Sequence, residues 1–212
     1  MFNDLIMLWF RPTTFFSTRF LKLDSNRLRV LGFLGVFLGL LLGSLSTYAL
    51  STYVIKEFSL HPDEYLAAIK NLGLDNAGFL EMLDLQKAYA LVLGILSPVI
   101  AFMASHIFGG AVFAFLWLLM RGSEQKLDFA KVMDCASVSL GCMVFYAIPA
   151  VGPLVALFMI GINLSRALFI KQGLSGFMKT MGIVMAMYIC FFVSAASLQL
   201  LAVPVKAWLL KL

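Results

Sequence analysis

From Val30 to Ile55 the chain runs for about 26 residues without a charge. A helix needs only about 20 to cross the roughly 30 Å hydrocarbon core of a bilayer. In lipid every backbone N–H and C=O must be satisfied inside the protein, so a run of this length is read as a transmembrane α-helix. The rest of the sequence follows suit: 62% of the 212 residues are hydrophobic, 13% are charged, and the mean hydropathy is +0.96. A soluble domain would need far more polar surface to cover its core. The expected fold is all-α, a polytopic membrane protein.

Four further spans are expected. Ala88 to Met120 is charge-free apart from its histidine, and the second span falls near 96–119, with Ser97-Pro98 at a first-turn or kink position. Cys135 to Ser165 is again uncharged, but Pro149, Gly152 and Pro153 interrupt it and mark a turn. That gives a tight hairpin of spans near 129–148 and 154–170. A fifth span is expected near 180–203. The complete reading is a five-span bundle over 30–212 (first span 30–54), preceded by a segment, 1–29, whose aromatic side lies in the headgroup layer. Met1 to Phe10 has no basic n-region and no small-residue cleavage site, so no cleaved signal peptide is expected.

The net charge of +5 does not suggest nucleic acid here, because the Lys and Arg residues fall mainly between the apolar runs, where they orient the chain. With the N-terminus cytoplasmic, 11 of the 16 basic residues lie on the inner side and the C-terminus is periplasmic. The loop 56–87 is then external and acidic, with Glu57, Asp63, Glu64, Asp75, Glu81 and Asp84. His61-Pro62-Asp63-Glu64 begins a helix there and Asp75 caps the next, giving a small helical cap over the bundle.

Polar groups inside spans are the candidate functional residues. His106, in Ser105-His106-Ile107-Phe108-Gly109-Gly110, is the only ionisable group deep in a span. It is either part of a polar path or a neutral imidazole bonded to the next helix. Asp134 and Arg166 lie at nearly equal depth on the two hairpin arms and either pair or reach water separately. Asn163 sits one turn from Arg166 and either extends a pocket there or bonds across helices. Gly35, Gly39 and Gly43 continue into Thr47 and Ser51 at a spacing of four, a smooth stripe for a close neighbour helix, either within the chain or in a second copy. Gly32 is expected to lie off that stripe. The cysteines Cys135, Cys142 and Cys190 sit in apolar stretches without ligand spacing and read as small hydrophobes.

No catalytic, cofactor-binding or metal-ligating pattern is present: there is no His-Glu-x-x-His, no phosphate loop and no Gly-x-Ser-x-Gly. A non-enzymatic protein is expected. The expected partners are membrane lipids, with a membrane protein or a second copy of the chain as further candidates.

Several short motifs resemble the Yip-domain family, the Ypt/Rab-interacting membrane proteins and their bacterial relatives. They are Arg11-Pro12-Thr13-Thr14-Phe15-Phe16, Gly109-Gly110, Phe145-Tyr146-Ala147-Ile148-Pro149 and Gly173-Leu174-Ser175. The resemblance implies a five-span protein of a bacterial inner membrane. GTPase binding is not carried over, because the Asp-Leu-Tyr-Gly-Pro motif and the long N-terminal region of the eukaryotic members are missing. The reading is a scaffold or adaptor for proteins or lipids, with a translocator of lipid or small solute as the alternative.

Overall fold

The computed structural model describes residues 2–71, 75–121, 127–149, 151–173 and 180–189. It is helical, with no strand among these residues. Two short helices, α1 (Phe2–Phe10) and α2 (Pro12–Thr18), and a 3-10 turn (Phe20–Lys22) lead into α3 (Ser25–Leu60). The chain continues through α4 (Pro62–Asn71), α5 (Asn76–Leu119) and α6 (Phe129–Leu140), which tightens into a 3-10 segment, Gly141–Ala147, before α7 (Gly152–Gln172). A last apolar helix, α8, covers Thr180–Ile189. Among the described residues four helical stretches are long and apolar enough to cross a membrane: α3, α5, α6 with its 3-10 extension, and α7. Of the expected fifth span, 190–203 lies outside the described residues.

Helices α3, α5 and α6 each start where an aspartate caps them. The Asp24 carboxylate accepts from Arg27 N–H at 2.9 Å, Asp75 from Gly78 N–H at 2.7 Å, and Asp128 from Ala130 N–H at 2.9 Å. Each satisfies a backbone donor with no partner in the first turn, and its charge favours the positive helix end. The expected cap at Asp75 is present, and α4 begins at Pro62 as its punctuation predicts. Gly173 ends α7 in the left-handed conformation, φ 63°, which costs glycine little.

The second span is expected near 96–119. It is the second half of a continuous 44-residue helix that starts at Asn76, so Pro98 stands mid-helix rather than in a first turn. Proline there leaves the Gly94 carbonyl without its usual i+4 donor, and the Ser97 hydroxyl donates to that carbonyl at 2.7 Å. The side chain beside the proline thus replaces the missing bond, which allows the helix to continue.

The core lies where α3 crosses the hairpin. Gly35 meets the backbone of Gly141, and Gly39 the backbone of Met143 and Val144. The stripe is therefore covered inside the chain. Gly32 belongs to it, contrary to the sequence expectation: an added Cβ would run into the Ser137 carbonyl. At 3.6 residues per turn, positions 32, 35, 39 and 43 share one face, whereas a strict spacing of four drifts off it, and Thr47 is exposed.

The N-terminal segment departs from expectation too. Leu5, Leu8, Phe15, Phe16 and Phe20 are all buried, packed into the same core as α3, α6 and α7. The side expected to face headgroups faces protein, because Phe15, Phe16 and Phe20 nest against one another at ring separations of 5.1 to 6.4 Å and the hairpin completes their enclosure. Trp9 fastens this segment, its indole N–H donating to the Gly141 carbonyl at 2.7 Å. Trp9→Phe should keep the ring packing but lose that bond, lowering stability by about 1 kcal/mol. Denaturant titration in mixed micelles checks this, and an unchanged midpoint would remove Trp9 as a fastening.

Candidate functional site

Asp134 on α6 is 2% exposed, and side chains of two other helices, α3 and α7, converge on it. The Lys171 ammonium, in the last turn of α7, approaches its Oδ2 at 2.6 Å. The Ser25 hydroxyl, in the first turn of α3, donates to the same oxygen at 2.7 Å. Arg29, one turn further along α3, brings Nε to 3.9 Å from Oδ1. A carboxylate is costly to bury alone, and these cations and donors make its charged form tolerable. Lys171 also lies 5.6 Å from the centroid of the Phe20 ring, a cation–π contact that ties the N-terminal segment to the cluster. The result is a clamp joining the N-terminal segment, α3, α6 and α7 at one end of the bundle.

The suggested pairing of Asp134 with Arg166 does not form. The two share a depth but not a face: Arg166 lies about 140° around α7 from Lys171, the residue that points at Asp134. The buried Nη1 of Arg166 has no hydrogen-bond partner among the described residues. Asn163, fully buried, donates through Nδ2 to the Cys142 sulfur at 2.9 Å, bonding across the hairpin as one of its two readings expects. Cys142 is thus an acceptor as well as a small hydrophobe.

His106 is not inside the bundle. It is exposed on the outer side of α5, and its Nδ1–H donates to the Phe102 carbonyl of its own helix at 2.9 Å. Helix α5 turns small residues inward (Ala101, Ser105 and Gly109 are buried), and His106 is one residue, about 100°, off that line. Gly109 packs against Met133, whereas Gly110 faces open space. Of the turn residues, Pro149 sits in the bend itself, Gly152 closes it by donating its N–H to the Ile148 carbonyl at 2.8 Å, and Pro153 occupies the first turn of α7.

Sequence reasoning found Asp134 and missed Ser25, Arg29 and Lys171. Lys171 falls just past the expected span 154–170, and counting charges by depth does not assign faces. Among the described residues no group of three or more His, Cys, Asp or Glu side chains is placed to hold a metal ion.

These features define a helical membrane-spanning bundle clamped at one end by a buried ion pair. No family model, curated protein or solved structure matches the chain.

Proposed function

We propose that this protein is a non-enzymatic membrane scaffold or adaptor, a Yip-like protein of a bacterial inner membrane that organises partner proteins or lipids. The observation that carries this reading is the length of α3 and α5. At 36 and 44 residues they are about 54 and 66 Å long, against roughly 30 Å of hydrocarbon. The pair continues past the hairpin turn as a stalk, closed at its tip by α4 around a separate small core of Phe58, Ile69, Phe79 and Leu83. Anchoring in a membrane requires no such extension. A rigid projecting pair of helices with exposed Asp63, Glu64, Glu81 and Asp84 offers a partner a fixed surface. The translocator alternative loses its main support, since His106 faces away from the bundle interior.

Photo-crosslinking residues placed at Glu64 and Glu81 in the full chain, expressed in a bacterial host, test this. A discrete crosslinked protein is expected from these sites and not from the bundle position Val99. Absence of any stalk-specific product, together with lipid or ion movement by the reconstituted protein, would overturn the scaffold reading.

In orientation the N-terminal end, rich in Arg and Lys, is placed on the cytoplasmic side and the stalk on the periplasmic side. Cysteines at Asn26 and at position 212 should label from opposite faces of the membrane. Labelling of both from one face would remove the five-span topology.

A further inference from the structure

Beyond Gly43, α3 parts from the hairpin, which turns back through Pro149 and Gly152 while α3 and α5 run on. The corner between them is a cavity of about 230 Å3. On the α3–α5 side it presents Ser46, Thr47, Ser51 and Gln86, and on the hairpin side Tyr146 with the apolar Ile148 and Pro149. No lining residue among those described is charged. Elsewhere on α3, Thr52 and Ser59 turn their hydroxyls back onto carbonyls of their own helix at 2.8 Å. Ser46 and Thr47 have no hydrogen-bond partner among the described residues. The Ser51 hydroxyl has only a long contact, 3.4 Å, to the Gln86 amide oxygen, which leaves the Gln86 NH2 group free to donate.

Depth identifies the ligand class. Counting from Val30, where the charge-free run of the first span begins, Gly43 lies about 20 Å and Ser51 about 32 Å along α3. The hydrocarbon ends at roughly 30 Å and the headgroup region some 5 to 8 Å further on, so the corner reaches the layer where lipid ester carbonyls sit. Ester carbonyls only accept hydrogen bonds, and the corner offers hydroxyl and amide donors. The hairpin side offers apolar surface for the first methylenes of the acyl chains. With no charge in the lining, nothing there selects a headgroup.

We propose that this corner binds the glycerol-ester region of one membrane lipid, recognised through its ester carbonyls and not through its headgroup. The scaffold reading does not require such a site.

The test is native mass spectrometry of the delipidated full chain, titrated with dioleoyl phosphatidylglycerol, its ether-linked counterpart, and dioleoyl phosphatidylethanolamine. The ester lipid should bind about fivefold more tightly than the ether lipid of the same headgroup, the ratio expected for one net hydrogen bond. The two ester lipids should agree within about twofold. A variant carrying Ser46→Ala, Thr47→Ala and Ser51→Ala should lose the ester preference. Equal binding of ester and ether lipids by the unaltered protein overturns the proposal without recourse to any variant. So does a headgroup preference larger than the ester preference, which would point to a site elsewhere, or a folded triple variant that keeps the preference.

Discussion

Gly39→Leu should prevent the bundle from assembling, and Gly32→Leu should do the same. At both positions an added Cβ would strike backbone, the Met143 carbonyl in one case and the Ser137 carbonyl in the other. Backbone cannot move aside as the end of a flexible side chain can, so α3 and the hairpin would have to separate along their whole contact. Ordinary overpacking costs about 1–3 kcal/mol, and a side chain forced between two helix backbones should exceed the top of that range. Gly110→Leu is the control, because nothing lies within 4 Å of an added Cβ there, and it should leave stability within about 0.5 kcal/mol. Thermal unfolding in detergent ranks the three. Equal tolerance of Gly39→Leu and Gly110→Leu would mean that α3 and the hairpin are not in backbone contact.

The second large effect is expected at the clamp. Lys171→Met removes the closest cation from a carboxylate that is 2% exposed, leaving Ser25 and the more distant Arg29 to hold it. Breaking a buried pair from one side costs about 3–5 kcal/mol, and the residual partners place this variant near the lower figure. Replacing both, Asp134→Leu with Lys171→Met, should recover much of the loss, since no uncompensated charge stays buried. The comparison separates a structural clamp from a merely proximate pair. If the single and double variants unfold at the same denaturant concentration, the two charges are not coupled.

The same cluster explains why the N-terminal segment belongs to the bundle. Lys171 touches both Asp134 and the Phe20 ring, so neutralising it should also loosen the aromatic nest of Phe15, Phe16 and Phe20. Protease access at Arg19 in the Lys171→Met variant reports that loosening independently of global stability.

The sequence alone determined the fold class, because lipid permits one answer for a 26-residue uncharged run: a helix whose backbone bonds are all internal. It also determined the turn at Pro149–Pro153, the α4 start at Pro62 and the cap at Asp75, since those residues act on their own backbone or on their nearest neighbours. The contact partners were decided only by the tertiary structure. A run of apolar residues reads the same whether it faces lipid or protein, so the burial of Phe15, Phe16 and Phe20 and the exposure of His106 left no mark in the sequence pattern. Depth can be counted along a helix, but rotation about its axis is set by the neighbour it packs against. For that reason Asp134 found Lys171 instead of Arg166, and Gly32 joined the stripe that a spacing of four had excluded.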